Sequence, residues 1–541
     1  MTIPMKTFYS IAAILQLLLA PQNFAQKVRP NILIVLTDGV RRSEFGCYGS
    51  TNALTPQIDA LAVRGVRFTD AYSAAPVGFA TRAALMTGQH PARLQLTDVP
   101  ESDFQEQSFR HSPSPAQPMN LARVVTLPKI LSAAGYECAD FTELDLSVGN
   151  KSRATPRAQA ARATRFIEHS RHRPWFVAVS LEATSITEID AAVGDLRTTL
   201  GKLEITPRTL VILTATHGAP YPANLLQTAA TAYQPLNGQE GYLHEGGIRV
   251  PLIITWANHV QKGSLSREVS VTMDLFPTIL EATEANADLN ARNDGLSLLA
   301  VLQSGGKLPR EFLCWYYPHY GRFGAEPASA IRMGNFKLIQ FHEFPRAELF
   351  NLSTDLGERR NLADSHPSEL NQLRSRLELW KQVQPVSPLK TNLNFSSISK
   401  PNSKGIIVLP CRLAEPHGTL IRYEPQPHKN TVGYWANGQD WVSWQFDLPN
   451  AGTYEVEIQQ GCGTGGDGSD MRLNVGEQNL SFVVQQTGHF QNFVTRKLGS
   501  LKLKKGGPQS LELRALTKRG GAVMDIRQIR LIPVTNKNSS H

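Results

Sequence analysis

Residues 75–88 read APVGFATRAALMTG. Pro76 and Gly78 break regular structure, Thr81 is of a type that caps helices, and Ala83, Ala84, Leu85 and Met86 favour a helix interior. The stretch therefore reads as a loop entering a helix. A helix N-terminus carries unpaired N–H groups and the positive end of the helix dipole, so it suits an anion or a nucleophile that attacks one.

Upstream, residues 29–36 contain NILIVL, a continuous apolar run suited to a buried parallel strand. Thr37, Asp38 and Gly39 follow at its carboxyl end, where open α/β sheets gather ligands. Asp38 is placed either to hold a hard cation such as Ca²⁺ or to cap the next turn. In GCYGSTNALTPQIDALAVRGVRFTDAYS (46–73), Ile58, Leu61 and Ala62 lie at helical spacing, Gly65 ends that helix, and Val66–Phe68 begins a strand. Downstream, Ser102–Asn120 reads as a polar loop. Helices are expected over Val125–Tyr136, Ala158–His169 and Ile189–Leu203, with strands at Pro174–Leu181, Thr209–Thr214 and Leu252–Trp256. Asp274, in Ser270–Leu280, reads as a helix cap. Strands alternating with helices point to an α/β fold.

These segments resemble the signatures of the sulfatase family, in the alkaline-phosphatase superfamily. The resemblance covers residues 29–384. It implies a doubly wound sulfatase/alkaline-phosphatase-like sheet, with a small antiparallel C-terminal subdomain at 310–384. The family pattern C/S-x-P-S-R followed by A-A-L-x-T-G supplies a nucleophile that becomes formylglycine. Here Gly78 stands at that nucleophile position, Ala80 and Thr81 replace the Pro and second Ser, and Arg82 is retained. The family carries a second Asp where this chain has Gly39. Glu143 and Asp145 stand where a Lys and a His serve the sulfate, Ser185 replaces another His, and Glu240 another Lys. Thr216 replaces a calcium-ligating Asp, although His217 fits the pattern. By this carry-over the remaining metal residues are Asp38 and His217, with His217 read alternatively as a polar corner residue.

Past residue 384 the composition changes. Gln384–Lys404 is rich in Pro, Ser and Asn and reads as a linker. From 405 to 536, alternating runs at Trp441–Phe446, Thr453–Gln459, Ser481–Val484, Ser510–Ala515 and Ile526–Ile532 are separated by turns, the pattern of an antiparallel β-sandwich. The region resembles jelly-roll carbohydrate-binding modules. Trp435, Trp441, Trp444 and His489 are its candidate sugar contacts, because aromatic faces stack on sugar rings. The alternative is core packing, and Trp441 and Trp444, three apart, point to opposite faces.

A chain of 541 residues has room for two domains, and its net charge of +9 favours anionic surroundings or is simply spread over a large surface. No nucleic-acid motif is present. Lys6, the apolar run Ile11–Ala20 and Ala25 read as a signal peptide over residues 1–25, too short to span a bilayer. Export to the periplasm or outside the cell is the expectation, with no transmembrane segment. Five cysteines form no zinc pattern; Cys411 and Cys462 either bridge or are isolated buried thiols.

Family hydrolysis needs a nucleophile, a cation and basic groups around the ester. Seven substituted positions point to an inactive family member that binds a sulfated or other anionic polysaccharide, or a protein partner. No cofactor is expected, or Ca²⁺ if the residual site functions. The alternative is an active sulfuric or phosphoric ester hydrolase with unusual residues, Thr81 serving as nucleophile. A third reading is a structural role as partner of active sulfatases.

Overall fold

Strand β1 (Asn31–Asp38) is buried along its whole length, and its side chains alternate between two cores. Ile32, Ile34 and Leu36 enter one apolar cluster, Leu33 and Val35 the other. This two-sided burial explains why the run is continuously apolar rather than alternating. The computed structural model describes residues 29–51, 54–97, 111–113, 124–142, 154–183, 185–219, 236–285, 292–320, 325–343, 346–384, 386, 389–391, 397–424, 429–504 and 506–534. The signal-peptide reading, Glu143 and Asp145 lie outside them.

β1 sits inside a seven-stranded sheet. The other strands are β2 (Val66–Phe68), β3 (Glu137–Phe141), β4 (Trp175–Glu182), β5 (Thr209–Thr214), β6 (Leu252–Thr255) and β7 (Ser264–Ser266). Their order is β3-β4-β1-β5-β6-β2-β7, parallel except for β6. One face is covered by α1 (Pro56–Arg64), α4 (Pro156–His169) and α5 (Ile186–Lys202). The other is covered by α2 (Gly78–Thr87), α3 (Leu127–Ala133) and α6 (Leu275–Thr283). The doubly wound sheet is thus present as expected, and in α1 the buried residues are Ile58, Leu61 and Ala62.

Helix α2 begins at Gly78, with Val77 as N-cap and no side-chain cap, so Thr81 sits one turn inside rather than at the start. Asp274 is the N-cap residue of α6, but its side chain does not cap that helix: Oδ2 accepts from Val271 N at 2.8 Å, while Oδ1 accepts from Leu296 N at 2.8 Å and pairs with Arg310.

Four antiparallel strands follow in order: β8 (Phe312–Tyr317), β9 (Ala328–Met333), β10 (Phe336–Phe341) and β11 (Arg346–Asn351). Helix α7 (Pro367–Val383) buries Leu373 and Leu377 against them.

The C-terminal residues form two six-stranded, largely antiparallel sheets around one apolar cluster. One contains β12 (Trp441–Leu448), β14 (Asp470–Val475), β15 (Gln478–Val483) and β17 (Gly507–Ala515). The other contains β13 (Gly452–Gly461), β16 (Val494–Leu503) and β18 (Asp525–Pro533). Strands β14 and β16 were not among the expected runs. The stretch read as a linker carries Leu389–Thr391, paired with His111–Pro113 of the expected loop, and Ile398–Ser399, paired with β12. Cys411 and Cys462 are separate free thiols, both buried, so the bridge is not made. Among the described residues, no helix is long and apolar enough to cross a membrane.

Candidate functional site

The carboxyl ends of β1 and β5 and the start of α2 converge on Asp38. That side chain is 3% exposed, and each of its oxygens is engaged by the protein. Oδ1 accepts from Thr216 N at 3.0 Å and from Thr216 Oγ1 at 2.7 Å. Oδ2 accepts from Arg82 Nη1 and from Ser180 Oγ, both at 3.2 Å. Burial pushes the Asp38 carboxyl up, but the charges of His217 and Arg82 and the two Thr216 hydrogen bonds outweigh it and hold the carboxyl below its ordinary value. An anion so stabilised is a poor proton acceptor, so its contact with Thr216 Oγ1 does not make that hydroxyl a nucleophile.

Arg82 reaches this carboxylate by folding back over Gly78, one turn earlier on α2. A Cβ built on Gly78 would meet Arg82 Nη1 at 3.2 Å and Thr216 Oγ1 at 3.1 Å. The guanidinium therefore occupies the space into which a nucleophilic side chain would extend. Gly39 is fixed as glycine by its backbone: φ is +82° and a Cβ would lie 2.6 Å from Ala183 O. An acidic second ligand has no place there.

The residues implied by the resemblance come together only in part. Asp38, Gly78, Arg82, Thr216 and His217 share one corner. Thr81 is 0% exposed, and its hydroxyl donates to Ala75 O at 3.0 Å and accepts from Ala75 N at 3.1 Å. That corrects the reading of Thr81 as a nucleophile: its proton is committed and no substrate reaches it. Ser185 Oγ is turned to Thr187 Oγ1 at 2.7 Å. Glu240 lies in a turn held to the approach of α2 by Gly241 N donating to Pro76 O at 2.9 Å. His217 Nδ1 donates to Gly218 O at 2.8 Å.

This donor set does not fit calcium. The cation needs six to eight oxygen ligands. Here one carboxylate is saturated by hydroxyls, an amide and a guanidinium, and among the described residues no three acidic, His or Cys side chains cluster to hold a metal. The reading of Asp38 and His217 as metal ligands is corrected accordingly. Ser180 was missed. Its signal was a lone hydroxyl in the otherwise apolar run PWFVAVSL.

Beneath the loop at 238–251 lies a buried ion network. Lys337 Nζ donates to Glu245 Oε1 and Glu358 Oε1, both at 2.9 Å, with all three side chains 0% exposed. Arg249 pairs with Glu245 at 2.7 Å and with Asp70 at 3.1 Å, and Arg332 pairs with Asp70 at 2.9 Å.

In the sandwich, Trp435 is 0% and Trp444 1% exposed. Trp435 Nε1 donates to Asp440 O at 2.9 Å and Trp444 Nε1 to Pro410 O at 3.0 Å. Both rings are core, which overturns their reading as sugar contacts. Trp441 faces outward but is sandwiched by its registered neighbours: the His417 ring at 3.7 Å and the Arg514 guanidinium at 3.6 Å. It too lacks a free face. His489 is exposed. Tyr434 is 50% exposed, with Arg422 stacked 3.7 Å from its ring centroid.

Comparison with known proteins places this geometry in context. A family model described as Sulfatase matches residues 30–182 and 153–285, and one described as N-sulphoglucosamine sulphohydrolase, C-terminal, matches residues 239–384. Arylsulfatase A of Homo sapiens is 28% identical over 459 residues, spanning 65% of this chain and 87% of that protein. N-acetylgalactosamine-6-sulfatase of Homo sapiens is 23% identical over 370 residues, spanning 53% of this chain and 68% of its own. Among solved structures, Ps i-CgsB in complex with k-i-k-neocarrahexaose superposes with a TM-score of 0.54 at 21% identity, covering 66% of this chain and 94% of its own. BT4656 in complex with D-Glucosamine-2-N, 6-O-disulfate gives a TM-score of 0.52 at 16% identity, covering 66% and 98%. The structural likenesses establish the fold.

Proposed function

Because this chain belongs to the sulfatase family, we propose that it is a member in which ester hydrolysis has been lost and binding of an anionic glycan retained. The observation that carries this reading is the Arg82–Asp38 ion pair across Gly78. A protein guanidinium stands where the family's nucleophile and cation would act together, and the carboxylate that would hold the cation is already neutralised. The k-i-k-neocarrahexaose of Ps i-CgsB and the D-Glucosamine-2-N, 6-O-disulfate of BT4656 are those proteins' own ligands. They support the choice of an acidic saccharide over other anions, as does the net charge of +9.

The sandwich at 405–536 acts in this reading as a second, carbohydrate-binding domain. Its contact surface is built around Tyr434 rather than the tryptophans, because Tyr434 is the large aromatic that keeps exposed area. The N-terminal segment, read as a signal peptide, would deliver the chain to where such polysaccharides occur.

The test uses the purified full chain, assayed for bound calcium by elemental analysis and for hydrolysis of 4-nitrophenyl sulfate. Less than a tenth of an equivalent of calcium, with no turnover above buffer, is the expected result. Calcium-dependent turnover would overturn the reading and return the chain to the active hydrolases.

A further inference from the structure

A small, partly open pocket lies beside the Asp38 corner, with Arg41, Arg42, His217, Gly218, Gly238 and Arg249 in its wall. Among the described residues, three arginines and a histidine line it and no carboxylate does. Asp38, Gly78 and Arg82 are not part of its wall.

The balance of the wall turns on Arg42. Arg42 and Arg249 converge on one carbonyl: Arg249 Nε donates to Thr69 O at 2.9 Å, and Arg42 Nη2 lies 3.5 Å from the same oxygen. Arg249 is compensated by Glu245 and Asp70. In the connected network, Arg249, Arg332 and Lys337 face three carboxylates, Asp70, Glu245 and Glu358. Arg42 is the cation in excess. It forms no ion pair among the described residues, and it rests on the Tyr48 ring at 4.2 Å. Its Nε is buried without an acceptor. A buried guanidinium N–H left without a partner costs on the scale of a lost charged hydrogen bond. Burial pushes the Arg42 guanidinium down from its ordinary value, Tyr48 and Asp70 pull it back, and nearby Arg249 adds to the fall.

We propose that this cavity is an oxyanion site in which Arg42, flanked by Arg249 and His217, receives a sulfate or carboxylate group. The inference rests on the binding reading above and gives it a location. With Arg82 turned inward onto Asp38, the anion is received one step to the side of the family's reaction centre. A planar guanidinium that lines the pocket and forms no ion pair among the described residues suits an oxyanion. The charged group is either a free inorganic ion or the substituent of a saccharide.

Titrating the full chain calorimetrically with inorganic sulfate, and in parallel with glucosamine 6-sulfate and glucosamine, tests the site. Saturable binding of sulfate is expected, weakened at least tenfold in Arg42→Met. Tighter binding of glucosamine 6-sulfate than of sulfate, with none of glucosamine, assigns the anion to a saccharide; equal binding assigns it to the free ion. Arg42→Lys keeps the charge and loses the fork, and about a threefold weakening is expected there even if Arg42→Met fails to fold. Wild-type affinity in both variants, or no sulfate binding by the parent chain, overturns the proposal. Loss of binding in Arg82→Lys with full affinity in Arg42→Lys also overturns it, by moving the anion to the start of α2. Hydrolytic activity is measured separately, so an active enzyme would refute the loss of hydrolysis without touching the cavity, and an empty cavity would leave that loss standing.

Discussion

Arg82 Nη1 lies 3.2 Å from Asp38 Oδ2, and the same nitrogen lies 3.2 Å from where a Cβ on Gly78 would stand. A Cβ at 78 would press on the guanidinium, which must give by a few tenths of an ångström to admit it.

Replacing Arg82 with Ala should therefore destabilise the fold by about 3 kcal/mol, the scale of breaking a buried ion pair from one side. The Asp38 carboxyl is held below its unfolded value, so it contributes stability above that value and loses it as pH falls through the folded one. Arg82→Ala raises the folded value, and acid unfolding should begin at higher pH. Urea unfolding of both proteins between pH 3 and pH 7 measures the shift; identical acid limbs would refute the coupling.

Restoring the family's second acid does not restore a metal site. Gly39→Asp forces an L side chain into a left-handed conformation, 2.6 Å from Ala183 O. A loss of about 2 kcal/mol or more is expected, with no gain in thermal stability on adding calcium. Calcium-dependent stabilisation of this variant would show that the corner rearranges around a cation.

The sandwich should show a pH dependence of opposite sign. Asp525 is 5% exposed, and burial, then the charge of Glu424, pushes its carboxyl up to about 7. A raised folded value means stability that is full below the unfolded value near 4 and is lost as pH rises towards 7. Asp525→Asn removes that slope and should stabilise the protein at pH 8 by up to roughly 4 kcal/mol. Thermal melts of parent and variant at pH 5 and pH 8 decide it, a difference confined to pH 8 being the expected outcome.

Lys337 bridges Glu245 and Glu358 with no solvent contact. Lys337→Met leaves two buried carboxylates facing each other, and a loss of about 3–5 kcal/mol is expected. Denaturant midpoints give the value; a change below 1 kcal/mol would mean the network is not electrostatically coupled.

Local pattern carried much of the architecture. NILIVL is apolar without interruption because both faces of β1 are covered, and the spacing of Ile58, Leu61 and Ala62 is the buried stripe of α1. Strands β14 and β16 escaped notice. Met471, Leu473 and Val475 form a short alternating set, and β16 is polar along most of its length because one of its faces meets solvent.

The sites were less legible. Trp435, Trp441, Trp444 and His489 look alike in a sequence, since an aromatic ring suits a core and a sugar face equally. Only the packing separated two core tryptophans and one closed between His417 and Arg514 from the exposed histidine and Tyr434.

Fold and departures from the family pattern were legible in the chain, because apolar periodicity and the identity of residues 39, 78 and 216 are local facts. What those residues touch was settled only in three dimensions. Asp38 and Arg82 are 44 residues apart, and Arg42 and Arg249 meet on one carbonyl from opposite ends of the sheet's chain path. Whether a charge is free or paired depends on which distant groups the fold brings within a few ångströms. Coulomb energy and desolvation follow distance in space, not distance along the chain.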